Sequence, residues 1–233
     1  MTHASDIEAL HTIGRHLAAA DPLHQVLDRV VAFVSGLVSC DSCFLYVLEG
    51  DVLKLRASKH PHPDVVDRLT LKMGQGITGW VAQHLEPVAV SRNAFSDARF
   101  KVFNELPEDR YEAFLSVPIT SRAKLVGVIN LQHRQPHEHT QQDIRLLSMI
   151  GLLVGAEIEL ARLEVENSQL SEELEARKVV ERAKGILQRT LRITEEEAYL
   201  AIQRQSRQRR TSKKVIAEAI VLGDELLRGR IGG

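Results

Sequence analysis

The sequence of 233 residues is 44% hydrophobic and 26% charged, with 4% aromatics. That is the balance of a globular chain able to bury a core, as one large domain or two small ones. Lys+Arg total 30 and Asp+Glu 31, a formal net charge of −1 that, taken whole, points to neither nucleic acid nor an anionic membrane as partner. The longest apolar run, around Ile150 to Ala156, falls far short of the roughly 18 residues of a membrane span. Asp6 and Glu8 stand where a signal peptide has its basic and apolar stretches, so a cytoplasmic chain without membrane contact is expected.

Residues 1–140 predict mixed α and β structure. Ile7, Leu10, Ile13 and Leu17 recur at helical spacing. Asp21 and Pro22 form an N-cap and N1 pair ahead of a second helix carrying Leu23, Val26, Leu27, Val30, Val31 and Val34. Cys40 and Cys43 form a lone CxxC. It is read as small apolar residues at the start of a strand, with a zinc or redox motif as the other reading. Residues 43–48 and 52–57 are strand-like around the turn Glu49-Gly50-Asp51, and residues 114–120 and 125–132 repeat the pattern across Ser121–Lys124. Two hairpins predict an antiparallel sheet with helices covering one face.

Residues 140–176 predict one long helix with Thr140 as its N-cap. A heptad register places Leu146, Leu153, Leu160, Asn167 and Leu174 at position a and Met149, Ala156, Leu163 and Leu170 at d. Only Asn167 is polar. From Leu160 onward the outer positions are mostly Glu, Ser and Arg, so the seam has nothing else to bury against. A coiled coil follows, and one Asn at an a position favours a parallel, in-register homodimer. Leu153, Leu160, Leu163, Asn167, Leu170 and Leu174 are its candidate contacts; the other reading is a solvated linker helix.

Residues 177–233 predict an all-helical bundle. Val180, Ala183, Leu187 and Leu191 continue the long helix with the apolar stripe shifted. Thr194 to Glu197 form a capping box that opens a second helix, and Thr211 or Ser212 caps a third. Gly229, Gly232 and Gly233 mark a fraying end. Charge segregates here: residues 157–176 carry a net −6, and residues 177–214 a net +8. A compact helical module with that excess suits a phosphate backbone, or else pairs with the acidic helix beside it.

Two stretches resemble known families. Val180 to Leu187 (VERAKGIL), Ile193 to Tyr199 (ITEEEAY), Arg204-Gln-Ser206 and Lys213 to Ala217 (KKVIA) follow the landmarks of the ANTAR domain in order. Gln188 departs from the family's usual Met, and Arg207–Arg210 is more basic than most. The resemblance implies a three-helix RNA-binding module that binds tandem stem-loops in transcript leaders and prevents an intrinsic terminator from forming. Gly74 to Ala82 (GQGITGWVA), Ser116 to Ile119 (SVPI) and Val126 to Leu131 (VGVINL) resemble a GAF domain, and Asp143-Ile-x-Leu-Leu147 fits its final helix. That implies an α+β fold with a flanked antiparallel sheet, and either an unidentified small-molecule ligand or none. Asn93-x-Phe95-x-Asp97 does not reproduce the family's cyclic-nucleotide signature. The expected division is a GAF sensory domain over 1–158, a coiled-coil linker over 159–176 and an ANTAR RNA-binding domain over 177–233.

The candidate RNA-binding residues are Lys184 with its small neighbours Ala183 and Gly185, then Arg204, Ser206, Arg207, Arg209, Lys213 and Lys214. Lysine and arginine supply phosphate contacts, and small residues allow close backbone approach. Helix packing inside the bundle is the other reading for Ala183 and Gly185. Tyr199 is placed in the core of its helix, with stacking on a loop base as the alternative. Ser206 either donates to a phosphate or caps its own helix end. His133, His137 and His139 read as turn and helix-start residues, with no metal site. No catalytic constellation and no cofactor motif is present. The other function class is a ligand-binding or dimerisation module whose basic bundle docks a protein or DNA.

Overall fold

The computed structural model describes residues 3–17, 22–59, 65–100 and 111–229. Strand β1 (Ser42–Glu49) carries Cys43-Phe44-Leu45-Tyr46-Val47, apolar at every position and buried throughout. Alternate strand residues face opposite sides, so such a run needs cover on both. Strands β2 (Val52–Lys59), β3 (Thr70–Lys72), β4 (Val88–Val90), β5 (Ala113–Ser121) and β6 (Lys124–His133) complete a six-stranded sheet in the order β3-β2-β1-β6-β5-β4. Every pairing is antiparallel. Both expected hairpins form: Glu49 pairs with Val52 around Gly50, whose φ is +61°, and Ser121 pairs with Lys124.

Helices flank both faces of this sheet, where the sequence pattern predicted one. On one side, α1 (His3–Leu17), α2 (Leu23–Val38) and the start of α4 (Gln141–Leu191) pack on Cys43, Leu45, Val47, Leu115 and Val117. On the other, α3 (Gly76–His84) packs with Phe44, Tyr46, Leu53, Phe114 and Val128. Glycine-rich sequence conceals α3. A Cβ on Gly79 would stand 2.6 Å from the Lys72 carbonyl, so only glycine lets the helix sit this close. A short 3-10 turn (Ala94–Ser96) follows β4.

Asp21 lies outside the described residues. Pro22 is the residue before α2 rather than its first, because its carbonyl already accepts from the Gln25 and Val26 amides at 2.9 and 3.3 Å. Cys40 and Cys43 are free and buried, and burial pushes both thiols above their ordinary range. That disfavours the thiolate a metal or redox site needs.

Helix α4 begins at Thr140, as expected. Thr140 Oγ1 accepts from the Asp143 amide at 3.1 Å, and the Asp143 carboxylate accepts from the Thr140 amide at 2.8 Å. The sheet-facing stripe of α4 is Leu146, Leu147, Ile150, Val154 and Ile158. Leu146 therefore belongs to the domain core rather than to a coil seam. The heptad positions after it form a second stripe: Leu153, Leu160, Leu163, Leu170 and Leu174 are 39%, 50%, 47%, 53% and 58% exposed. Gly151 and Gly155 seat α4 against β5. A Cβ at these positions would meet the Pro118 carbonyl at 2.9 Å and the Thr120 carbonyl at 2.3 Å. Gly→Ala inside a helix ordinarily stabilises by about 1 kcal/mol. Gly155→Ala is expected to destabilise by about 2 kcal/mol instead, through overpacking against backbone, as chemical denaturation will show.

The chain divides into two compact units, Met1–Arg162 and Leu163–Gly233. In the second, the end of α4 packs with α5 (Glu195–Arg209) and α6 (Lys213–Gly229) around Ala183, Ile186, Ile202, Ile216, Ala217 and Val221. Thr194 and Glu197 form the expected capping box of α5. Ser212 caps α6, its hydroxyl accepting from the Val215 amide at 3.3 Å. Gly232 and Gly233 lie outside the described residues. Among the described residues, no helix is long and apolar enough to cross a membrane.

Candidate nucleic-acid interface

Two groups stand out among the basic residues of the second unit. The first is paired with acids. Arg182 bonds Glu225 at 2.7 Å and Arg189 bonds Asp224 at 3.3 Å, tying α4 to α6. Lys184 is held by two carboxylates, Glu181 at 2.8 Å and Glu195 at 2.6 Å, and its side chain is only 9% exposed. Both ion pairs raise its pKa, so it stays charged. Yet two acids around one base leave the spot locally acidic, and the hollow that Lys184 lines also holds Glu196 and Tyr199. The structure thus places Lys184 in an ion-pair clamp between α4 and α5, not free on the surface as its motif suggested.

The second group is free. Arg204, Arg207, Arg209 and Arg210 are exposed, with no carboxylate partner among the described residues. They gather at the C-terminal end of α5, where positive charge also complements the helix dipole. The turn that carries them is tightly tied. Arg210 takes the left-handed conformation at φ +51° and donates its amide to Arg207. The Thr211 amide donates to the Ser206 carbonyl at 3.1 Å, and the Ser206 hydroxyl donates to the Thr211 carbonyl at 2.6 Å. Ser206 therefore fastens the turn. Arginine at a left-handed position costs about 1 kcal/mol relative to glycine, so the guanidinium is kept there against the backbone's preference.

Lys213 stands beside this turn. Its Nζ donates to Tyr199 Oη at 2.8 Å and lies 5.0 Å from the ring centroid. The ammonium draws the phenol pKa down. Tyr199 is half-buried and sits outside the bundle core, contrary to the core placement expected for it. Lys214 is half-buried. Ala183 is wholly buried in the core, so it is a packing residue and not a surface contact. Gly185 is exposed, and a Cβ there would meet nothing within 4 Å. Helix packing therefore does not explain this glycine. A largely apolar hollow of about 340 Å³ opens between the three helices, lined by Leu187, Ile202, Ile216 and Ile220 with Arg209 beside them. The sequence did not signal it, because its lining comes from three helices.

In the first unit the Asn93-x-Phe95-x-Asp97 stretch is built around a local ion pair. Asp97 bonds Arg99 at 2.8 Å, which holds the carboxyl below its usual range. The Arg99 guanidinium stands 5.0 Å from the Trp80 ring. A hollow of about 290 Å³ lies on the other side of the sheet, lined by Leu27, Val47, Ile158 and the Glu49–Arg56–Asp67 ionic cluster.

Fold and site together define a class: an α+β domain whose last helix continues into a three-helix bundle with an exposed arginine cluster. The chain belongs to the GAF domain family, matching it over residues 22–158, and an ANTAR domain follows over residues 168–221. The transcriptional regulatory protein PdtaR of Mycobacterium tuberculosis is 46% identical over 76 residues, 33% of this chain and 37% of that protein. A protein of the phosphoenolpyruvate-dependent phosphotransferase system of Escherichia coli is 26% identical over 159 residues, 66% of this chain and 21% of the protein. This chain therefore spans just over a third of the first relative and about a fifth of the second. Among solved structures, the GAF domain of a phosphoenolpyruvate-protein phosphotransferase from Coxiella burnetii superposes with a TM-score of 0.66 at 26% identity, covering 71% of this chain and 99% of that one.

Proposed function

We propose that this chain is a cytoplasmic, non-enzymatic transcription antitermination regulator whose ANTAR module binds tandem stem-loops in transcript leaders under control of the GAF domain. The observation that carries the reading is the cluster Arg204, Arg207, Arg209 and Arg210, exposed and without a carboxylate partner among the described residues, at a turn fixed by Ser206 and Thr211. Paired RNA strands are gripped through phosphates, and loop bases are read on apolar or aromatic surface. The hollow beside Arg209 supplies such surface, and Lys213 and Lys214 extend the basic track. The ANTAR match and the kinship with a transcriptional regulator support the assignment. Lys184 serves it indirectly, by holding α5 against α4, and exposed Gly185 leaves room for a close strand. The test is a gel shift of the full chain with a two-hairpin leader RNA against duplex DNA of equal charge, over a salt series. Tighter binding to the RNA at every salt concentration is the expected result; preference for the duplex, or for a protein ligand alone, overturns it.

The active species in this reading is a parallel homodimer. The support is the exposed stripe Leu153, Leu160, Leu163, Asn167, Leu170 and Leu174, separate from the stripe that packs on the sheet. Two joined modules hold two linked stem-loops at high effective concentration. Leu163→Glu with Leu170→Glu is expected to give a monomer by sedimentation. Binding to one hairpin should be unaltered, and binding to the tandem pair weaker by tenfold or more. Equal affinity of monomer and parent for the tandem RNA would remove the dimer from the mechanism.

A further inference from the structure

Three histidines far from the arginine cluster come together where β6 ends. The ligand atoms of His133, His137 and His139 all lie within 4.8 Å of one another. The rings of His133 and His137 stack with centroids 3.9 Å apart, and His139 lies 5.0 and 4.7 Å from them. His133 Nε2 and both ring nitrogens of His139 are buried without a hydrogen-bond partner. A buried polar atom left unpaired is costly, and three such atoms in one cluster point to something that binds them.

The backbone that carries these rings is fixed. The Glu112 amide donates to the His133 carbonyl at 2.8 Å, and the His137 amide to the Ser91 carbonyl at 3.0 Å. The Arg134 amide donates to the Asp41 carboxylate at 2.8 Å. His139 immediately precedes Thr140, the cap of α4. The sequence conceals the cluster because spacings of four and two residues straddle a strand end and a loop, and match no helical or hairpin ligand pattern.

We propose that His133, His137 and His139 form a binding site for one divalent transition-metal ion. Three imidazoles without a thiolate or carboxylate suit Zn²⁺, Ni²⁺, Co²⁺ or Cu²⁺ and not Mg²⁺ or Ca²⁺. His133 and His139 are buried, so bulk water does not supply the partners their ring nitrogens lack. Zn–N bonds run about 2.0–2.1 Å, so the three donors draw closer together than they stand here, and the stacked pair splays to do so. The bound ion links the end of β6 to the residue before the α4 cap, which stiffens the root of the helix that continues into the ANTAR bundle. The site stands whether or not the RNA reading holds.

The test uses the full chain without an affinity tag. Titration with Co²⁺ should produce visible absorption bands that saturate at one ion per chain, and Zn²⁺ should displace the Co²⁺ and raise the melting temperature. Mg²⁺ should do neither. His137 is the half-buried member of the three, so His137→Gln can be made without opening the core. This variant should melt like the parent without metal, bind Co²⁺ at least tenfold more weakly and lose the Zn²⁺-induced shift. His139→Gln should behave alike toward metal. The chain holds 10 histidines, so the variants decide the location. No binding at 100 μM Co²⁺ (on the order of a weak surface site), or saturable binding unchanged in both variants, overturns the proposal.

Discussion

Replacing Arg204, Arg207 and Arg209 together with alanine is expected to lower affinity for a two-hairpin leader RNA about a hundredfold, with little change in melting temperature. All three guanidiniums are exposed and, among the described residues, without carboxylate partners, so their loss leaves no buried charge behind. Each lost phosphate contact removes close to one unit from the slope of log K against log salt, so the triple variant should show a slope shallower by about 2–3 units. Lys184→Ala is the informative contrast. It removes a charge already matched by Glu181 and Glu195 and leaves those two acids side by side. The expectation is a less stable bundle with a nearly unchanged salt slope. Should Lys184→Ala alone flatten the slope as much as the arginine triple, the paired lysine and not the free cluster would be the RNA contact.

Lowering the pH from 6.5 to 4 in the presence of a chelator should destabilise the first unit, because two buried imidazoles resist the protons that their unfolded forms accept. His133 and His139 are held neutral in the folded chain down to about 4, chiefly by burial. Unfolded histidines take up a proton near 6.5. Between those values the unfolded chain binds more protons, so stability is full above pH 6.5 and is lost as the pH falls to 4, with no further loss from these groups below that. The groups facing His133 are His137 and Asp41, and those facing His139 are His133, His137 and Asp143. The two aspartates oppose the depression and the neighbouring rings deepen it. Asp97, whose pKa is lowered by Arg99, loses its contribution in a lower window, below the ordinary carboxylate value. Trp80, the single tryptophan, lies in α3 and reports unfolding of this unit by fluorescence. A denaturation midpoint that stays flat from pH 6.5 to 4 would show that the two imidazoles protonate freely in the fold.

What the sequence reveals and conceals follows from the range of the interactions. Both hairpins are legible because short turns separate apolar runs, and the Thr140 and Thr194 caps are legible because both partners lie three residues apart. The heptad stripe is visible too. What one dimension cannot show is that α4 carries two stripes, with Leu146 on the one that meets the sheet. Helix α3 is hidden because close approach to the Lys72 carbonyl demands glycine where helix propensity disfavours it. The free arginines are legible as charge, but not as free: that depends on acids of α5 and α6 that neutralise Lys184, Arg182 and Arg189 instead. The three histidines meet only because β6, the following loop and the α4 cap converge.

The glycine seat of α4 restricts how that helix can move on the sheet. With the Thr120 and Pro118 carbonyls occupying the space that side chains would need at positions 151 and 155, α4 has one rotational phase in which its backbone clears β5. Rolling the helix about its axis would turn a neighbouring side chain into that strand. The segment of α4 around Gly151 and Gly155 is therefore fixed in rotation for as long as it stays seated on β5.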